Sequence, residues 1–124
     1  MGISQKDLTV VIVTFQSEKV IIDCINSIDK NLPIIVVENS SNHNFKRQLE
    51  KRFTNVECIL TNDNLGMGRG NNVGIRYASS NFVMIINPDT ILYRDTISEL
   101  INISKKIDFS ILSPISDDKN YPNY

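Results

Sequence analysis

The run Ile85-Ile86-Asn87-Pro88-Asp89-Thr90 holds the first candidate for chemistry, an apolar stretch that ends abruptly in a polar turn with one acid. A buried strand that delivers a carboxylate to its C-terminal tip is how open α/β sheets place a metal or phosphate ligand at the ligand crevice. Read without context, an Asp after Pro also starts turns and caps helices, and Thr90 suits the same role. A second candidate is Asn64-Leu65-Gly66-Met67-Gly68-Arg69-Gly70-Asn71-Asn72-Val73-Gly74, with four glycines leading toward a predicted helix. Glycine permits positive φ and close backbone approach, and a helix start offers unpaired N–H groups to an anion such as phosphate. The segment is not a P-loop, because no Gly-Lys-Ser/Thr follows. Nor is it the dinucleotide fingerprint, since Val73 stands where the last glycine is expected and the segment follows the third predicted strand rather than the first. A third candidate is Glu38-Asn39-Ser40-Ser41, where a carboxylate beside an amide and hydroxyls can hydrogen-bond a base or a ribose.

The elements that must position these groups are legible as apolar patterns. Residues 9–14, Thr-Val-Val-Ile-Val-Thr, form a β-branched run of the kind that fills a strand covered on both faces. Val20, Ile21, Cys24, Ile25 and Ile28 recur at helical spacing and predict an amphipathic helix ended near Asn31 and Pro33. Residues 34–37 are too short for a helix and predict a second buried strand. Phe45, Leu49 and Phe53 mark one face of a second helix, whose Lys46, Arg47, Lys51 and Arg52 read as a solvated basic face, with an acidic partner or lipid headgroups as the other reading. Strands are predicted at 56–60 and 82–86. The glycine-rich segment 66–74 is expected to lead into a short helix through Tyr77 and Ala78. Ile97, Leu100, Ile101 and Ile107 predict a fourth helix, and residues 109–112 a fifth strand.

The pattern is βαβαβαβαβ, which defines the fold class as α/β, a mostly parallel sheet with helices on both faces joined by right-handed crossovers. Ligands of such sheets bind at the carboxyl ends of the strands. Glu38, the glycine-rich segment and Asp89 all fall at that edge, so the implied ligand is a nucleotide with a diphosphate, its charge met by a divalent cation on Asp89.

Bulk composition bounds the rest. The 124 residues are one domain's worth, 41% hydrophobic and 22% charged, enough to bury roughly two-thirds of the unfolded surface. Thirteen basic against fourteen acidic side chains leave a net charge of −1, so no global field draws nucleic acid. Cys24 and Cys58 lack metal-ligand spacing and read as buried, reduced thiols. No apolar run approaches the ~20 residues of a membrane span, and the polar start of the chain lacks a signal-peptide pattern. The expected location is cytoplasmic, with the inner face of a membrane as a peripheral variant.

Four segments in order, Val11-Ile12-Val13-Thr14-Phe15-Gln16-Ser17, Val36-Val37-Glu38-Asn39-Ser40-Ser41, Asn64-x-Gly66 through Gly70-Asn71-Asn72-x-Gly74, and Asn87-Pro88-Asp89, resemble the family 2 glycosyltransferases of the GT-A fold. The likeness runs from about Leu8 to Pro114 and looks most like rhamnosyltransferase-like members that build bacterial surface polysaccharides. It implies a nucleotide-diphosphate sugar donor and a saccharide or lipid-linked acceptor. The implied donor site comprises Thr14, Phe15, Glu38, Asn39, Asn64, Gly66, Gly70, Asn72 and Asn87. Thr14 and Phe15 would line the base pocket. Glu38 stands where the family usually has Asp, and Asn72 with the 66–70 turn would lie against the donor. Asp89 would be the second acid of the family's Asp-x-Asp metal motif, ligating Mg²⁺ or Mn²⁺. Asn87 replaces the first acid, which removes one negative ligand and leaves more of the charge to the diphosphate.

Members of that family run about twice this length, and the resemblance implies that the acceptor site and catalytic base lie in the second half. No residue here is assigned as that base; Asp117 and Asp118 read as solvated loop residues and His43 as a turn residue. The chain is therefore expected to be a single donor-binding domain, with a core over about 8–114 and a polar tail over 115–124. The alternative is a non-catalytic nucleotide-sugar-binding or partner-binding module on the same fold. A receiver-like domain would need acids after strand one, where this chain has Thr14-Phe15-Gln16. A sheet that stops at its fifth strand should also expose an apolar edge, favouring self-association or a partner segment.

Overall fold

The computed structural model describes residues 5–120. After a 3-10 turn at Gln5–Asp7, the order is β1 (Leu8–Thr14), α1 (Ile21–Asn26), β2 (Ile34–Glu38), α2 (His43–Arg52), β3 (Val56–Leu60), α3 (Gly66–Tyr77), β4 (Phe82–Ile86) and α4 (Thr96–Ser104). The four strands form one parallel sheet in the order β3-β2-β1-β4. β1 and β2 are central, which is why their sequences are apolar at nearly every position rather than alternating.

Each face of the sheet has its own core. Val10, Ile12, Ile34, Val36 and Cys58 pack against Ile21, Cys24 and Ile25 of α1, Phe45 and Leu49 of α2, and Ile97 and Ile101 of α4. The opposite face, built on Val11, Ile35 and Val37, is covered by α3 through Val73. Full burial of each such side chain contributes about 1.5–3 kcal/mol. α2 starts where Asn42 Oδ1 accepts the Phe45 N–H at 3.0 Å, an N-cap that satisfies one orphan donor of the first turn.

Four expectations are corrected. Residues 66–74 are not a turn leading into a helix; they are most of α3 itself. Gly70 and Gly74 face the sheet, and a Cβ on Gly74 would stand 2.4 Å from Val11 Cγ1, on Gly70 2.8 Å from Val13 Cγ1. The glycines thus serve close packing of helix on sheet. Residues 109–112 form no strand: they run as an irregular strap beside β4, with Phe109 against Phe82 at a ring-centroid distance of 6.3 Å. A strand exists only with a partner, and no backbone hydrogen bond among the described residues joins this strap to β4. His43 is the first residue of α2 rather than a turn residue, and Ile107 lies beyond α4.

Both cysteines are free and buried, as expected. Asp117 and Asp118 are exposed, and Asp117 accepts a hydrogen bond from the Tyr93 hydroxyl. Among the described residues no helix is long and apolar enough to cross a membrane. Of the polar start, residues 1–4 fall outside the described residues, as do residues 121–124 of the tail.

The glycine contacts yield a test. Gly74→Ala forces a methyl into the stiff Val11 side chain and is expected to cost about 1–3 kcal/mol. Gly68→Ala, with nothing within 4 Å of its Cβ, is expected to stabilise by up to about 1 kcal/mol through helix propensity. Urea denaturation of the two variants checks this; equal effects would refute the packing role.

Candidate functional site

The C-terminal rim of the sheet is formed where β1 ends at Thr14, β2 at Glu38, β3 at Leu60 and β4 at Ile86. The adjacent strands β1 and β2 bring Thr14 and Glu38 into register, and Thr14 Oγ1 donates to Glu38 Oε2 at 2.9 Å. Ser40 Oγ donates to the other carboxylate oxygen, Oε1, at 3.2 Å. Glu38 is only 2% exposed, so these hydroxyls replace water around it. Burial raises its carboxyl above the ordinary Glu value; the Thr14 and Ser40 hydrogen bonds pull the other way, and the charge of Glu18 adds to the rise.

Asn39 is as buried as Glu38 and ties three elements together. Its backbone N–H donates to the Thr14 carbonyl at 2.8 Å. Its side-chain Nδ2 donates to the Gly66 carbonyl at 3.0 Å, and its Oδ1 accepts from Thr61 Oγ1 at 3.1 Å. That places the N-terminus of α3 at the ends of β1 and β2. Asn64 Oδ1 accepts the Gly66 N–H at 3.1 Å, and Gly66 sits at φ +80, a conformation that favours glycine. The side chain of the N-cap residue, Leu65, offers no acceptor to the rest of the first turn. Asn72 is exposed on α3, Gly70 is buried against Val13 and Asn39, and Phe15 is 46% exposed after β1.

The Asn87-Pro88-Asp89 turn follows β4, on the other side of β1 from Glu38. Asn87 and Asp89 are both exposed. The turn is anchored from α1: Cys24 Sγ donates to the Asn87 carbonyl at 3.6 Å, and the Leu92 N–H donates to Ser27 Oγ at 3.0 Å. Burial pushes the Cys24 thiol up to about 12, and the negative charge of Asp89 adds to that. The thiol therefore stays protonated at neutral pH, as a donor must.

The structure thus joins Thr14 to Glu38, and Asn39 and Asn64 to Gly66, by direct hydrogen bonds. It does not join Glu38 to the Asp89 turn, since β1 stands between their strands. Sequence reasoning missed the parts of Cys24, Ser27 and Thr61, because a thiol or hydroxyl that acts through a residue far along the chain has no local pattern. It also passed over Asn71, whose Oδ1 is buried without a partner among the described residues. Such an oxygen costs about 1–3 kcal/mol until a donor reaches it.

A divalent cation can be tested against this donor set. Among the described residues no three His, Cys, Asp or Glu side chains cluster as a cage. One exposed carboxylate with a neighbouring amide fits a cation that arrives on a diphosphate and keeps waters in its shell, as Mg²⁺ does; it does not fit a cation held by protein alone.

A parallel sheet with its polar groups gathered at the strand ends is the architecture of α/β proteins that bind ligands at that rim. The model of glycosyl transferase family 2 matches residues 9–124, and the chain belongs to that family. It is similar to the low-salt glycan biosynthesis hexosyltransferase Agl10 of Haloferax volcanii, with 31% identity over 112 residues, 87% of this chain and 36% of the relative. Among solved structures it is similar to S. aureus TarS 1-349, at 23% identity and a TM-score of 0.69 over 81% of this chain and 32% of that one. The same region of TarS has been solved in complex with UDP, at 22% identity and the same TM-score. These likenesses support the GT-A fold. The chain spans about a third of the length of the relatives it matches.

The Glu38 environment predicts a pH dependence. A carboxyl whose folded pKa is raised holds its proton more tightly in the fold than in the unfolded chain. Its stabilising contribution is full below the unfolded value of about 4.3 and is lost as pH climbs through the raised folded value. Melting temperatures of the protein and Glu38→Gln should show the wild-type advantage shrinking across that window. A constant difference would refute the raised carboxyl.

Proposed function

We propose that this chain is the donor-binding part of a glycosyltransferase, which takes a nucleotide-diphosphate sugar and passes its sugar to a saccharide or lipid-linked acceptor during assembly of a cell-surface glycan. The observation that carries this reading is the gathering of Glu38, the α3 N-terminus and the exposed Asp89 turn on one rim of a family 2 chain. The printed activity of the Haloferax volcanii relative, a glycan biosynthesis hexosyltransferase, supports the hexosyl class of transfer. The UDP complex of TarS supports a nucleoside diphosphate as the leaving group.

In this reading the exposed ring of Phe15 packs beside the base, and Glu38 accepts from the base or ribose through the lone pairs that Thr14 and Ser40 leave open. The N–H groups of the first turn of α3 face the diphosphate, with Asn64 and Gly66 shaping that turn and Asn72 beside the donor. Asn71 Oδ1 gains its missing donor from a ligand hydroxyl. Asp89 and Asn87 would hold the divalent cation, which supplies charge stabilisation for the departing nucleoside diphosphate. The chain spans about a third of its relatives, so donor binding and transfer are separate properties, and a binding module without transfer is the second reading. A cytoplasmic location, or one at the inner face of a membrane, goes with this reading, supported by the lack of a long apolar helix among the described residues.

Titration of UDP, dTDP and GDP with and without Mn²⁺, followed by calorimetry and melting temperature, tests the proposal. One nucleotide should stabilise the fold in a metal-dependent way, by about 2.7 kcal/mol at a hundredfold excess over Kd. Asp89→Ala should abolish the metal-dependent part. No response to any nucleotide would overturn the reading.

A further inference from the structure

The Asp89 carboxylate stands in solvent, so where it points is decided by the backbone beneath it. Asn87-Pro88-Asp89-Thr90 is a β-turn, closed by the Thr90 N–H donating to the Asn87 carbonyl at 3.0 Å. Pro88 supplies the fixed φ of its first corner. The Asn87 carbonyl that closes the turn is also the one that the Cys24 thiol reaches at 3.6 Å. Further on, the Leu92 N–H ends on Ser27 Oγ at 3.0 Å, and the Ser27 hydroxyl donates in turn to the Cys24 carbonyl at 2.7 Å. Both ends of the segment 87–92 are therefore fastened to residues one helical turn apart at the end of α1.

The start of α1 is tied to the other half of the rim. The Ser17 carbonyl accepts the N–H groups of Val20 and Ile21 at 3.1 and 3.0 Å. The Ser17 hydroxyl accepts the Phe15 N–H and donates to the Phe15 carbonyl, each at 3.2 Å. α1 thus runs from the loop that carries Phe15 to the turn that carries Asp89, with Ile21, Cys24 and Ile25 locked into the core. It is a spacer between two exposed loops. The core alone asks of position 24 a small apolar group and no hydrogen-bond donor, and Ser27, half-buried, is outside the apolar cluster. Their polar atoms serve the turn.

We infer that Cys24 and Ser27 are positioning residues of the donor site, through which α1 holds the Asn87–Thr90 turn where Asp89 meets a divalent cation carried on the donor diphosphate. The inference rests on the donor-binding reading above. Among the described residues no three His, Cys, Asp or Glu side chains form a cage, so a single carboxylate has to be presented in order before the cation arrives. Groups that orient a metal ligand govern affinity as the ligand itself does, because a loose ligand must be ordered at the moment of binding.

The test uses the isotope-labelled 124-residue chain with UDP, dTDP and GDP, each with and without Mn²⁺. Ser27→Ala and Cys24→Ala should each weaken the Mn²⁺-dependent part of nucleotide binding roughly fivefold, the worth of one hydrogen bond. Binding of the same nucleotide without metal should stay as in the wild type. Ser27→Thr and Cys24→Ser, which keep the hydroxyl and the donor, should restore most of the loss. Hydrogen exchange should quicken at the Thr90 and Leu92 amides in the alanine variants while the β1 amides stay protected, which shows that the fold is intact. Equal weakening with and without Mn²⁺ would mark a merely structural role and overturn the inference. So would full Mn²⁺-dependent binding in both alanine variants, a result that leaves the donor-binding reading standing. Failure of the wild type itself to bind any of the nucleotides would instead remove that reading and this inference together.

Discussion

The contact of the α3 glycines with Val11, Val13 and Val37 is the constraint on which the rest of the structure depends. A helix that carried side chains at positions 70 and 74 would stand further from β1 and β2. Its N-terminus would then lose the Asn39–Gly66 bond that brings it to the strand ends. The same approach lets a single helix bury Val11, Ile35 and Val37, over which no other helix packs among the described residues. Packing and site geometry are one problem here, solved by removing atoms rather than adding them.

Around that contact, the rim is organised by polar groups that are satisfied from within. Glu38 gives up water for two hydroxyls, and Asn39 spends both ends of its amide on neighbouring segments. The Asp89 turn is built the opposite way: its carboxylate is left in solvent, and its shape is fixed from behind by α1 through Cys24 and Ser27. A rigid, dry half and a solvent-facing acid thus share one edge, separated by β1. Rigid elements carrying an accessible ligand group are what a site for a charged, flexible molecule requires.

Much of this was legible in the sequence. Continuous β-branched runs marked the two central strands, β1 and β2, because strands buried on both faces leave no room for alternation, and short apolar segments marked the edge strands β3 and β4. The placement of Glu38 and Asp89 at strand tips followed from those runs. The glycine-rich segment misled, since glycine weakens a helix in isolation and only the sheet beneath it makes the helix worthwhile. Residues 109–112 misled for the complementary reason: their composition suits a strand, but strand formation is decided by a neighbour that local sequence does not encode. Asn42 at the head of α2 could have been read as a cap, and it moves His43 from a turn to the first helical position.

The strand order has a consequence for how such a chain acquires its shape. β1 is made first yet ends in the middle, with β2 on one side and β4 on the other, Leu8 lying beside Phe82. As the polypeptide leaves the ribosome, its most apolar segment must wait for nearly the whole sheet to emerge before both its sides are covered. Parallel pairings of this kind fold slowly and leave sticky intermediates exposed. The residues that form the molecular centre are therefore the ones with the longest need of protection during synthesis.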